Sequence, residues 1–84
     1  MTMTTGPMPA TTRQIDARGS FCPGPLMELI RVIRESDVGA VIAVRSSDRG
    51  SRVDIPKWVE KAGHRLVGVG QADGYDEIIV EKMR

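Results

Sequence analysis

The sequence predicts an α/β two-layer sandwich in which a four-stranded mixed sheet carries two helices on one face, in the order βαβαββ. Three observations predict it. Two segments place apolar residues at three-and-four spacing, one around 26–33 and one around 53–62, which is the stripe of a helix with a single buried face. Between them, Ala40 to Val44 is a continuous apolar, β-branched run suited to a strand near the middle of a sheet. After them, two strand-like segments flank Ala72-Asp73-Gly74, and Asp-Gly supplies the positive φ a tight hairpin turn needs. Two helices with one apolar face each and four strands are satisfied together by laying both helices on one side of the sheet.

Taken in order, Met1 to Thr12 is Thr, Pro and Met without periodicity or charge and is expected to be a disordered tail, with residues 13–84 as one domain. Arg13 to Ala17 alternates, with Ile15 and Ala17 on one face, and predicts a short first strand. Leu26, Leu29, Ile30 and Ile33 mark the first helix. Its outer face pairs Glu28 with Arg31 and Arg31 with Glu35, and Ser36, Asp37 and Gly39 end it. Ser46 to Gly50 interrupts the pattern after the second strand. Val53, Ile55, Trp58, Val59 and Ala62 then predict the second helix, with Pro56 in its first turn and Gly63 as its stop. His64 to Gly70 alternates with Leu66 out of phase with Val67 and Val69, and Asp76 to Lys82 forms the last strand around Ile78, Ile79 and Val80.

Composition restricts the function. At 84 residues with 12 Lys plus Arg against 11 Asp plus Glu, the chain is small and nearly neutral. That balance lacks the excess of Lys and Arg by which phosphate-binding surfaces are built, so direct nucleic-acid binding is not expected. A domain of this size buries only about 60% of its unfolded surface, so chemistry is expected on the exterior rather than in an enclosed cavity. No apolar run approaches the ~18 residues of a membrane span, and no signal-peptide pattern opens the chain; a cytosolic protein is expected. The single cysteine forms no internal disulfide, and one Cys with one His cannot supply four ligands to a structural zinc, so no metal and no cofactor is expected.

The informative segment is Phe21-Cys22-Pro23-Gly24-Pro25, between the first strand and the first helix. Proline is tolerated in the first helical turn, and two prolines spaced by one residue stiffen the approach, which holds Cys22 at or just before a helix N-terminus. The dipole there favours a thiolate or persulfide. It contributes roughly 0.3–1 kcal/mol, less than one pKa unit, so a nearby cation would have to add more. Arg18, Arg34 and Arg49 are candidates that the sequence does not place. A thioredoxin-type pair is excluded, because Gly24 and Pro25 stand where a second cysteine would be needed. A cysteine-protease pair with His64 lacks both a cleft and a motif around the histidine.

Cys22-Pro23-Gly24-Pro25 at the start of a helix resembles the C-P-x-P signature of the TusA (SirA-like) sulfur-carrier family. The element order, Met27 five residues after the cysteine, Arg34 twelve after it, and Asp48 followed by Asp54-Ile55-Pro56 and the aromatic Trp58 agree with that family over about Gln14 to Arg84. Arg49 departs from it, since many members have proline after the Asp, and this puts the role of Asp48 in question. The resemblance implies that Cys22 accepts sulfane sulfur from a donor such as a cysteine desulfurase or rhodanese and passes it to an acceptor protein, with Met27, Arg34 and Asp48 as partner-binding residues. It implies service in tRNA thiolation, molybdenum-cofactor biosynthesis or sulfur oxidation. The plain alternatives are that Met27 is core, Arg34 a solvated charge, Asp48 and Asp54 helix caps and Trp58 packing. At the level of the whole protein, the alternative is a non-catalytic regulatory or interaction module, and after that an RNA binder using Arg18, Arg31, Arg34, Arg45, Arg49 and Arg52 on one face.

Overall fold

The computed structural model describes residues 13–21 and 23–84; Met1 to Thr12, the expected tail, and Cys22 lie outside them. The order is β1 (Arg13–Asp16), α1 (Gly24–Glu35), β2 (Val41–Ser46), α2 (Arg49–Ala62), β3 (Arg65–Ala72) and β4 (Tyr75–Glu81). The sheet runs β1-β2-β4-β3, parallel between β1 and β2 and antiparallel elsewhere, so the expected mixed sheet is present.

Register decides which face is core. Ile15 lies opposite Val44 and Val44 opposite Ile78, while Ile42 lies opposite Val80. These residues share one face, and Leu29, Val32 and Ile33 of α1 and Ile55 and Val59 of α2 pack on it, with Leu26 and Trp58 at its margin. Because the side-chain period of a strand is two, the opposite face receives Gln14, Ala43 and Ile79 in one row and Asp16, Arg45 and Glu77 in the next. Among the described residues no helix covers that second face, in line with the expected two layers, and ion pairs such as Arg45–Glu77 lie across it.

Four departures from the sequence reading have local causes. The second helix starts at Arg49, a full turn before Val53, because Asp48 takes the N-cap position. The Ser46 hydroxyl accepts from the Asp48 N–H at 3.1 Å, and the fully buried Ser51 hydroxyl donates to the Asp48 carboxylate at 3.3 Å. Pro56 therefore lies in the helix interior rather than its first turn, where it cannot donate to the Arg52 carbonyl. Asp54 likewise falls inside α2 and is not its cap. The phase conflict at Leu66 is resolved by a bulge between Leu66 and Gly68, which returns Leu66 and Val69 to one face opposite Val80 and Ile78.

The end of the sheet near the C-terminus is tied down by polar contacts. Lys82 donates from its ammonium to the carbonyl of Ile33 at 2.7 Å and to that of Ser36, so a cation sits on the C-terminus of α1, where the dipole favours it. Gly63 ends α2 in the left-handed conformation, as the sequence indicates. The Met83 N–H donates to His64 Nδ1 at 3.1 Å, and the His64 ring lies 5.6 Å from that of Trp58.

Candidate functional site

β1 and β2 are parallel, so the loops leaving their C-terminal ends emerge side by side. One is the segment Ala17 to Pro23, which carries Cys22; the other is Ser47-Asp48. The β3–β4 turn reaches the same end, since Tyr75 and Asp76 start β4 next to Ser46.

The first loop is anchored at three points before it reaches the cysteine. The Ala17 N–H donates to the Arg45 carbonyl at 2.8 Å, extending the β1–β2 ladder by one residue, and the Ala17 side chain is buried. Gly19, at φ +88°, turns the chain there, and its N–H donates to the Ser47 hydroxyl at 2.8 Å. Arg18 grips Asp16 with two guanidinium bonds of 2.8 and 2.7 Å and lies over the Tyr75 ring at 5.1 Å, while Arg45 approaches the same ring at 5.7 Å. The Arg18 guanidinium holds the Asp16 carboxyl down at about 2. Beyond these anchors the chain turns outward: Phe21 is 79% exposed, and Pro23 and Gly24 are exposed as well.

Pro23 is the N-cap residue of α1 and Pro25 falls inside its first turn, buried. Of the four amides usually left open at a helix start, two are missing because Pro23 and Pro25 have no N–H. A third, that of Gly24, is bonded to the Phe21 carbonyl at 2.7 Å. Anion stabilisation next to Pro23 thus rests on the aligned dipole more than on direct amide donation, at the low end of the ~0.3–1 kcal/mol range. There is no acidic residue in the first turn of α1 to oppose it.

The three candidate cations separate. Arg18 is neutralised by Asp16. Arg34 stands in the last turn of α1, ten residues from its start and so about 15 Å along the axis. Arg49 opens α2. His64 lies beside β3's first residue, at the opposite end of the sheet from Phe21 and Pro23. The arginines considered for RNA do not share a face: Arg31 is paired with Glu28 and Glu35 on α1, Arg45 with Glu77 on the open sheet face, and Arg49 and Arg52 line the flank of α2.

The residues proposed to meet partners fall into two groups. Met27 is 63% exposed on α1 and is not core; with Gly24, Ile30 and Arg34 it lines a shallow groove of about 590 Å³ that begins at the helix start. Asp48 belongs to the adjacent β2–α2 loop and is half-buried as the α2 N-cap. The sequence did not single out Tyr75 or Ser47, and it named Arg45 only among the arginines of the RNA-binding alternative. Their roles depend on register between segments far apart in the chain, for which a single sequence carries no local signal. Among the described residues no cluster of His, Cys, Asp and Glu could hold a metal, and no helix is long and apolar enough to cross a membrane.

The comparisons with known proteins agree with one another. A family model described as sulfurtransferase TusA matches residues 13–82. A protein of Archaeoglobus fulgidus described as a candidate sulfur carrier is 53% identical over 70 residues, covering 83% of this chain and 96% of that protein. The sulfur carrier protein TusA of Pseudomonas syringae pv. syringae is 38% identical over 61 residues, 73% of each chain. The crystal structure of a SirA-like protein from Desulfitobacterium hafniense superposes with a TM-score of 0.75 at 25% identity, over 86% of this chain and 99% of that one.

Proposed function

This chain belongs to the TusA family, and from that premise we propose that it is a sulfur carrier that holds sulfane sulfur as a persulfide on Cys22 between a donor protein and an acceptor protein. In loading, the Cys22 thiolate attacks the outer sulfur of a donor persulfide. A new S–S bond forms, the donor's S–S bond breaks, and the donor cysteine leaves as a thiolate with its electron pair. Unloading repeats the step with Cys22 as the leaving group, so neither transfer needs an oxidant, a metal or a cofactor.

The observation that carries the reading is the family's Cys-Pro-x-Pro sequence at a helix start whose neighbours on both sides are exposed. A transfer between two proteins requires the sulfur to be reachable by a second protein surface rather than enclosed with a small substrate. Phe21 and Met27 offer apolar contact there, Arg34 a cation farther along the same helix, and Asp48 a polar group on the adjoining loop. These residues are assigned to partner binding, with Pro23, Gly24 and Pro25 setting the approach of the chain to the helix. The donor is a cysteine desulfurase, a rhodanese or a protein of like chemistry. Which acceptor takes the sulfur in a transfer assay assigns the pathway among tRNA thiolation, molybdenum-cofactor biosynthesis and sulfur oxidation.

Intact-protein mass spectrometry after incubation with a persulfide donor tests this. The expected result is the gain of one sulfur atom that is reversed by dithiothreitol and absent in Cys22→Ala. Absence of the adduct with persulfidated donor proteins and with inorganic polysulfide alike would overturn the proposal.

A further inference from the structure

β3 is one of the two outer strands of the sheet, and among the described residues nothing pairs with its free edge. Sheet edges are commonly guarded by lysine, proline or short length. β3 is eight residues long, its bulge is confined to the first four, and Gly68 to Ala72 carries no charge and no proline. On the helix-bearing face this edge projects past α2: Leu66 is 40% and Val69 42% exposed, although their partners Val80 and Ile78 are fully buried.

Between β3 and α2 runs a trough in two halves. One, of about 460 Å³, is bounded by Arg49 and Arg52 of α2 and by Gln71 and Ala72 of β3. The other, of about 600 Å³, is bounded by Pro56, Lys57 and Val59 of α2 and by Leu66. Arg49, Arg52 and Lys57 are exposed, and none of them enters an ion pair among the described residues. Glu60, at the far end, and the buried Asp76, at the near end, are the acidic groups of the lining. The three cations span about 12 Å of helix, at ~1.5 Å per residue. That is the length of about four residues of extended chain, enough to set two side chains of one strand face against them.

An edge strand beside a helix-walled trough is the arrangement by which extended peptides are bound through strand addition, with main-chain bonds giving affinity and alternate side chains entering the trough. We propose that β3 takes an extended, acidic segment of a partner protein as a fifth strand, with the carboxylates of its alternate, helix-facing residues against Arg49, Arg52 and Lys57. The proposal rests on the carrier reading for its partner, a protein that delivers or collects sulfur. The trough opens toward the end of the sheet from which the Cys22 loop emerges, joined to it through the Ser47–Gly19 bond. A segment bound there holds the partner without covering the α1 groove around Met27.

The test is a titration of the full chain, labelled with nitrogen-15, with the blocked peptide Glu-Val-Glu-Val-Glu-Val-Glu and with its Lys-for-Glu counterpart. Amide shifts are expected from Leu66 to Ala72 and over the first two turns of α2, for the acidic peptide only and unchanged in Cys22→Ala. Arg49→Glu combined with Arg52→Glu is expected to weaken binding at least about tenfold, and Val69→Asp to do the same by placing like charge on the exposed edge. Shifts centred on Met27 to Arg34, equal binding of the basic peptide, or a peptide-free dimer by sedimentation would overturn the proposal. Loading of Cys22 by inorganic polysulfide is followed in the same samples. If peptide binding fails while loading is intact, the docking proposal falls alone; if loading fails while the peptide binds, the carrier reading falls alone.

Discussion

Replacing Lys82 by Met keeps most of the aliphatic stem and removes one charge, which isolates what that charge does. The ammonium donates to the Ile33 carbonyl, which also accepts from the Ser36 N–H at 3.1 Å, and to the Ser36 carbonyl, and it is half-buried. A bond from a charged donor contributes about 1.5–3 kcal/mol, and a cation at a helix C-terminus about 0.3–1 kcal/mol. Water reaches the half-buried carbonyls in the variant and recovers part of that, so the expected loss is about 2 kcal/mol. For a domain of this length each kcal/mol shifts Tm by about 4–8 °C, so a drop of about 8–16 °C is expected. Urea denaturation followed by circular dichroism measures the loss directly, and an unchanged m-value shows that the unfolded state is unaffected. A second readout comes from His64, whose pKa is held below its ordinary value by burial first and by the charges of Lys82 and Arg84 after it. In Lys82→Met it should move up without passing the ordinary value. A stability loss under about 0.5 kcal/mol, within the range of an ordinary surface change, would refute the assignment of Lys82 as the cap of α1.

Three further outcomes are expected. The His64 pKa is depressed from 6.5, so its contribution is fully present above that pH and is lost as pH falls through the folded value, where the unfolded chain binds more protons. His64→Asn retains an acceptor for the Met83 N–H but cannot titrate, and its stability should fall less steeply below pH 6.5 than that of the parent chain in parallel denaturation series. Gly19→Ala meets no atom within 4 Å, so its effect is that of the backbone alone, about 1–2 kcal/mol for an L-residue at φ +88°. That strain should appear as an altered alkylation rate of Cys22 and as line broadening between Ala17 and Phe21. Met27→Ser should leave stability within about 0.5 kcal/mol, because the side chain is exposed, while slowing sulfur transfer to a protein and leaving loading by polysulfide unchanged.

The parts legible in the sequence were those set by local periodicity. Ile15 with Ala17, the 40–44 run, and Leu29 with Ile33 identified strands, helix and core face because the burial of each side chain is encoded by its spacing from its neighbours. The start of α2 was hidden because Gly50 and the serines around it look like a loop. They join a helix only once Ser46, Asp48 and Ser51 bond to one another around the end of β2. The bulge at Leu66 was hidden for a related reason: an odd residue in an alternating run has no meaning until a partner strand fixes which register is kept. At the site, the Cys-Pro-x-Pro segment was legible as local chemistry. The Arg18 stack on Tyr75 was not, since it joins residues 57 positions apart and either one alone reads as ordinary surface.

The topology separates the two demands made on such a small molecule. With β1 and β2 parallel, both α-helices start at one end of the sheet, so the C-terminal ends of these strands present the Cys22 loop and the α2 N-cap together. The opposite end gathers the closing contacts: Lys82 on α1, His64 with Met83, and Arg84 packed over Gly63, where an added Cβ would lie 2.8 Å from the guanidinium. The exposed residues near the start of α1 carry little of the core, so they are free to be chosen for what a visiting protein recognises. Pro23 and the buried Pro25 hold the loop's exit. Substitutions at the Lys82 end should therefore move stability and leave sulfur transfer by the folded protein unchanged, and substitutions at Phe21 or Met27 should do the reverse. A variant set in which both quantities moved together, wherever the change was made, would show that the two ends are mechanically coupled and that sulfur transfer depends on the whole sandwich rather than on the Cys22 loop.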